Sequence, residues 1–302
     1  MTNLKTGWRN LWRNKSFSFI NITGLAIGIA AAMLLFIVVR YELSYDTFQK
    51  NYNNIYRVVT SDRFEDGVTY NAGIPVPALE ALRVKFPQAT FGSLHGAYGS
   101  QVTVPMPGGN DKKIIEKVGI FFADPGFFSI FNFHWLSGSP EALAQPGAVV
   151  LSKETAEKYF GKGVSPVGKL LKLDNQLSLK VSGIIDNLPV NTDYPVKVAV
   201  SMETVKRNPD LYNYNDDWGN TSSTHQIYAL LPAGQLPGAV NKQLIAFAEE
   251  HYKKRKGNGL GKTNFLQPLP DIHFDTRFET FGDHRTGKTT LWTLSLIGVF
   301  IL

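Results

Sequence analysis

The sequence predicts an α+β fold: an N-terminal transmembrane helix, then an extracytoplasmic domain in which two strand–helix–strand units flank an inserted, strand-rich subdomain. Three observations carry this. An uncharged apolar run of 21 residues, Phe19 to Val39, follows a basic N-terminus. Beyond it, segments of period two bracket short helical patterns at both ends of a region of some 250 residues. Between them, 105–223 carries more strand signals than helical ones.

Composition sets the frame. The chain has 302 residues, 43% hydrophobic and 19% charged, a folding composition able to bury a core. It contains no cysteine, which excludes disulfides, thiolate metal sites and cysteine nucleophiles. Four of the net +6 charges, on Lys5, Arg9, Arg13 and Lys15, fall within 1–39, where there is no acid. The rest therefore carries +2, and the charge pattern points to a membrane rather than to nucleic acid.

Residues 1–18 read as a cytoplasmic basic amphipathic segment. Leu4, Trp8, Leu11 and Trp12 share one helical face, with Lys5, Arg9 and Arg13 beside it, as in a helix lying on a membrane surface. Residues 19–40 read as transmembrane helix 1, since 21 uncharged residues at about 1.5 Å each span roughly 30 Å. A signal peptide would have a shorter apolar core ending in a small-residue cleavage site. Here Ala30-Ala31-Ala32 lies inside the run, which exits through Val39, Arg40, Tyr41 and Glu42. The positive-inside rule puts the N-terminus in the cytoplasm and the bulk outside. Gly24, Gly28 and Ala32 recur every fourth residue and form a candidate helix-packing face.

Residues 41–288 form the outer domain. "IYRVVTSD" reads as a strand. "PVPALEALRVKFP" reads as a short helix through Val76, Leu79, Leu82, Val84 and Phe86, and "FGSLHGAYGSQVTV" as strands again. At the other end, "HQIYALLP" is strand-like. Val240, Leu244, Ile245, Phe247 and Ala248 mark a helix, and "KTNFLQPLPDIHF" returns as strand. These end units occupy 41–104 and 224–280, and two such units commonly pair as a four-stranded sheet with two helices on one face. In the insert, "GAVVLSKETAEKYFG" is a strand entering a helix capped by Ser152 and closed at Gly161. "SPVGKLLKLDNQLSLKVSGIIDNLP" gives a turn and two alternating strands. Seven aromatics within 121–135 fit core packing better than an exposed ligand patch. Residues 289–302 read as the start of transmembrane helix 2, in a protein expected to continue into further membrane helices.

Several of these stretches together resemble the MacB/FtsX-type permeases of ABC transporters, in the versions common in Bacteroidetes. They are "NLWRNKSFSFINITGLAIGIAAAMLLF", "YELSYDTFQKNYNNIYRV", "ADPGFFSIFNFHWLSGSP", "VVLSKETAEKYFGKGVSPVGKLLKL" and "VSGIIDNLP", in that order. The resemblance implies a MacB-like periplasmic core domain, porter-like at its two ends, on a permease of the bacterial inner membrane. It implies a separate cytoplasmic ABC ATPase subunit as partner. It also implies membrane lipids, a second permease copy or paired permease, and a periplasmic partner or substrate. The function expected is coupling of ATP hydrolysis on that other chain to export or extraction of a peptide, antibiotic, lipid or lipoprotein. The same anchor–domain–anchor order also fits the extracytoplasmic sensor region of a membrane receptor or kinase.

Catalytic signals are weak. "GDHRTGKT", Gly282 to Thr289, matches the phosphate-loop pattern G-x-x-x-x-G-K-[ST]. The preceding "FDTRFETF" is unlike a buried parallel strand, and the topology puts the motif on the side away from cytoplasmic ATP. The six histidines at 95, 134, 225, 251, 273 and 284 contain no H-x-x-x-H pair, so no metal site is expected. Asp216-Asp217 and Glu249-Glu250 are sequence neighbours that point apart. "KKRKGNGLGK", 253–262, reads as a basic loop after a helix, with anionic lipid or a partner as its functional alternative. The expectation is a non-enzymatic transporter subunit with no cofactor and no nucleic-acid partner.

Overall fold

The structure is a computed structural model describing residues 9, 12, 13, 15–252, 261–282 and 284–302. Most of the amphipathic segment 1–18 and nearly all of the basic loop 253–262 lie outside the described residues. The described chain divides into two units, residues 1–44 with 286–302, and residues 45–285.

The first unit holds α1 (Lys15–Glu42), 28 residues long and apolar enough to cross a membrane. Its side chains are exposed along nearly the whole length, an apolar surface suited to lipid. It ends at Glu42. Residues 43–48 are turns, with Asp46 at φ +55°, so the helix does not run on into the outer domain as a longer rod.

The second unit begins with a 3₁₀ turn at Tyr52–Asn54 that feeds β1 (Ile55–Phe64), and β1 folds back as β2 (Gly67–Asn71). Then come α2 (Ala78–Lys85), β3 (Thr90–Ala97), β4 (Ser100–Val104), β5 (Lys112–Glu116) and β6 (Ile120–Ala123). The short α3 (Pro125–Ile130) starts at Asp124, whose Oδ1 accepts the Gly126 N–H at 2.8 Å, with Pro125 at the first helical position. After β7 (Trp135–Ser137), β8 (Ala148–Ser152) enters α4 (Lys153–Phe160). There Ser152 Oγ accepts the Thr155 N–H at 3.3 Å, and Gly161 closes the helix at φ +94°. The hairpin β9 (Leu170–Leu173) and β10 (Leu177–Ile185) turns at Asp174 and Asn175, both at positive φ. The chain continues as β11 (Val198–Ser201), α5 (Met202–Lys206), β12 (His225–Leu230), α6 (Pro237–His251) and β13 (Lys262–Pro268). It ends in α7 (Leu269–Ile272) and, in the first unit, α8 (Lys288–Ile301).

The strands join one sheet in the order β13-β1-β12-β3-β6-β11-β8-β10-β9-β4-β5. The four strands β13-β1-β12-β3 are antiparallel throughout. With α2 and α6 packed on one face, they make the interleaved pair of strand–helix–strand units expected from the sequence. β6 bonds to β3, so the strand-rich part grows directly from this sheet. β4, although it precedes residue 105, pairs with β5 and β9 at the far end. In the middle strands, side chains of both parities are buried: Phe122, Val149 and Val200 on one face, Phe121, Val150 and Ala199 on the other. That is why "IFFA", "AVVLS" and "VAVS" are continuous apolar runs rather than alternating ones.

Three local expectations change. Val84 is 83% exposed, because at 100° per residue it sits about 140° from Leu79, away from the face shared by Leu79, Leu82 and Phe86. Ile245 is half-exposed for the same reason, lying outside the arc of Val240, Leu244, Phe247 and Ala248. "LPDIHF" leaves the sheet after Pro268, with Pro270 inside a single helical turn.

Candidate functional site

The segment that follows α1 is held by three distant parts of the outer unit. The Asp46 N–H donates to Asn191 O at 3.0 Å, and its Oδ2 accepts the Asp193 N–H at 3.2 Å. Gln49 Oε1 accepts the Asn132 N–H at 2.8 Å. Tyr45 stacks on His273 with ring centroids 3.5 Å apart, and His273 Nδ1 lies 3.3 Å from Asp193 Oδ1. Asp46, Asp193 and His273 are all at most 2% exposed. Asp46 sits in the left-handed region, a conformation that aspartate tolerates and surrounding bonds must hold.

Two buried carboxyls share this place. Burial, and then the charge of Asp193, push the Asp46 carboxyl up to about 7, with the Thr192 and Tyr194 side chains and the Asp193 backbone acting the other way. Among the described residues, Asp46 Oδ1, Asp193 Oδ2 and Gln49 Nε2 have no hydrogen-bond partner.

Beside this cluster runs a second buried network. Arg57, fully buried on β1, donates through Nη1 to Gln226 Oε1 at 2.9 Å and to Glu279 O at 2.8 Å. Its other hydrogen bonds go to Gln267. Tyr228 Oη donates to the same Gln226 Oε1 at 2.8 Å. Burial lowers the Arg57 pKa, and Tyr228, Asp193 and Asp275 oppose that. The two networks tie β1, β12 and β13 to the loops at 191–194 and 271–279. They hold one segment against another and present no nucleophile beside a base.

The residues singled out from the sequence are placed as follows. A Cβ on Gly28 would lie 3.5 Å from Ile301 Cγ2, Ala32 is 6% exposed, and Gly24 has open space around it. All three lie on α1 in the first unit. Of the phosphate-loop match, Asp283 is outside the described residues. Residues 273–281 before it form turns and bends rather than a strand, and Gly287 is the N-cap of α8. The aromatics of 121–135 are core: Phe121, Phe127, Phe128, Phe131 and Phe133 pack in one cluster and Phe122 in another. Phe128, Phe131, Phe133 and Trp135 also line a cleft of about 240 Å³ beside Lys50 and Asn51.

Sequence spacing gave no hint of two histidine pairs. His95 and His225 are opposite each other on β3 and β12, with ring centroids 5.7 Å apart. Burial and His95 push His225 down to about 3, so it is a neutral core group. His273 and His284 approach to 5.8 Å. Spacing likewise gives no hint of the Asp46, Asp193 and His273 cluster, since Asp46 lies 147 residues from Asp193 and Asp193 lies 80 from His273. Its one local signal is Asp46 within "YELSYDTF".

Comparison with known proteins agrees with this fold. The sequence pattern of one family, the MacB-like periplasmic core domain, matches residues 18–247. A search of curated protein sequences returns no match. Among solved structures, a domain assigned to a permease protein of Porphyromonas gingivalis superposes with a TM-score of 0.61 at 15% identity, covering 82% of this chain and 99% of that one. The periplasmic region of MacB from Actinobacillus actinomycetemcomitans gives a TM-score of 0.51 at 14% identity, covering 73% and 91%. At such identity these two likenesses concern the fold.

Proposed function

The chain belongs to the family of the MacB-like periplasmic core domain, and from that premise we propose that it is the permease subunit of an ABC transporter, driven by a separate cytoplasmic ATPase. ATP hydrolysis on that other chain moves the periplasmic domain, and the movement exports or extracts a peptide, antibiotic, lipid or lipoprotein. The N-terminus lies in the cytoplasm and the membrane is the bacterial inner membrane, as the four leading positive charges favour. The working unit is a homodimer or a pair of permeases. Gly28 and Ala32 serve as a close-packing face toward α8, and Gly24 toward a further helix. Residues 41–104 with 224–280 act as the porter-like part and 105–223 as its insert.

The observation that carries this reading is the pinned segment 45–52. A domain moved by a membrane helix needs a stiff connection, because slack absorbs displacement. Here the residues that follow α1 are bonded to Asn191, Asp193 and Asn132 within a few positions of the helix end. ATP binding must also favour one arrangement over another for any work to be done. Inserting a flexible Gly-Ser segment after Glu42 is the test. The expected result is a folded protein, by circular dichroism and thermal melting, that no longer restores the transport phenotype of a deletion strain. Full restoration by the insertion variant refutes mechanical coupling through this segment.

A further inference from the structure

We propose that Asp46 is a proton-operated latch, in which a proton on its buried carboxyl, beside Asp193, keeps segment 45–52 against the 191–194 loop and its departure to solvent loosens that segment. The latch stands without the proposed function; only its consequence for transport rests on that reading.

The geometry has three parts. Both carboxyls are out of water, at 1% and 2% exposure, and each keeps one oxygen with no partner among the described residues. The other Asp46 oxygen already accepts the Asp193 N–H at 3.2 Å, so the two residues are joined through the backbone whatever the charge. Two ionised carboxylates in such a place repel in a medium of low dielectric, and a proton on one of them relieves this. Asp46 also holds a left-handed backbone, φ +55°, which gives the segment a reason to relax once its bonds weaken.

The groups around Asp46 do not supply a competing counter-charge. On its own segment it faces Tyr52. From the 191–194 loop come Asp193, Thr192 and Tyr194, and from β12 Tyr228. The basic side chains are on the Asp193 side: His273 at 3.3 Å, with His284 behind it, and Arg57, already bonded to Gln226, Gln267 and Glu279 O. Asp271 adds a further negative charge near Tyr52. His273 therefore sits beside Asp193 and not beside Asp46, which leaves Asp46 as the carboxyl without a basic side chain against it.

The sign follows from this asymmetry. The closed segment binds the proton more tightly than the open one, where Asp46 would return to its ordinary value of 3.8. Closure is favoured at low pH, weakens as pH rises between the two values, and is constant above about 7.

Amide hydrogen exchange of residues 45–52 in the full chain in detergent micelles, referenced to β8 and corrected for intrinsic rates, reads this directly. Protection is expected to fall about tenfold per pH unit between roughly pH 5 and 7, the slope for one linked proton. Asp46→Asn, which keeps the shape and cannot titrate, should flatten the profile. Should that variant fail to fold, Asp193→Asn still decides the matter: without the neighbouring charge, the fall must move to lower pH. A wild-type profile flat across this range, an Asp46→Asn profile like the wild type, or an unmoved Asp193→Asn profile each overturns the latch.

Discussion

Arg57 on β1 and Gln267 on β13 are direct partners in the strand register, and two guanidinium nitrogens of the one reach a single oxygen of the other, Nε at 3.0 Å and Nη2 at 2.6 Å. The remaining nitrogen, Nη1, bonds Gln226 on β12 and the Glu279 carbonyl. A fully buried cation on β1 is thus held by neutral oxygens on two neighbouring strands and a loop, with Asp193 and Asp275 acting only at longer range. A planar fork of five donors fits that arrangement.

Arg57→Lys keeps the charge and loses the fork. One ammonium cannot reach acceptors on β12, β13 and the 279 carbonyl together, so buried acceptors are left unmet. A loss on the order of 2 kcal/mol is expected by denaturant unfolding. Stability unchanged within about 0.5 kcal/mol would show that the network does not stabilise the fold.

Gly92 is where β3 and α3 touch through backbone. A Cβ there would lie 2.0 Å from Phe127 N and 2.3 Å from Gly126 C. Neither atom can turn aside as a side-chain tip could, so Gly92→Ala should cost roughly 3 kcal/mol or more and shift the Phe127 and Phe131 core contacts. Gly238→Ala, in the first turn of α6 with nothing within 4 Å, is the control and should be neutral or slightly stabilising. Equal melting temperatures for the two variants would contradict the close approach.

Ser152 both accepts the Thr155 N–H and donates to Thr155 Oγ1 at 2.8 Å, while 5% exposed. Ser152→Ala should lower stability by about 1 kcal/mol, seen as a shifted denaturation midpoint with unchanged slope. Ser152→Asp should recover most of it, since aspartate caps equally well.

That cap was legible from the sequence because it is local: an apolar run, a serine, a helical pattern and a glycine follow one another. The same holds for α1, for the helix at Ala78–Lys85 and for the interleaved end units. The Asp124-Pro125 start of α3 was equally local, and an N-cap followed by proline at the first position would have found it. Arg57 and Asp46 were not legible. Arg57 occupies one position of an alternating strand that reads as solvent-facing, and only the loops at 191–194 and 271–279, packed over that face, bury it. Asp46 looks like a surface acid until Asn191, Asp193 and His273 arrive from far along the chain. Periodicity reports which face a residue shares, not what later segments lay on top of it.

Within the first unit, the packing of α1 on α8 makes a sharper test than any single substitution. A Cβ built on Gly298 lies 3.7 Å from Leu35 Cβ, inside the range of about 3.5–4.5 Å that a disulfide requires. The chain has no cysteine, so a Leu35→Cys, Gly298→Cys double variant carries only the introduced pair. It is expected to cross-link readily under mild oxidation, seen as a faster-migrating band that reductant removes. Leu34→Cys with Gly298→Cys should not, because Leu34 points about 100° around the helix and is 64% exposed. The two helices meet where residues are small, with Ala32 buried and Gly28 against Ile301. Gly28→Leu should therefore suppress the cross-link by forcing the helices apart, whereas Gly28→Ala, whose Cβ falls at an ordinary 3.5 Å, should leave it intact. A cross-link indifferent to Gly28→Leu would separate the Leu35–Gly298 contact from the small-residue face and leave that face for another helix.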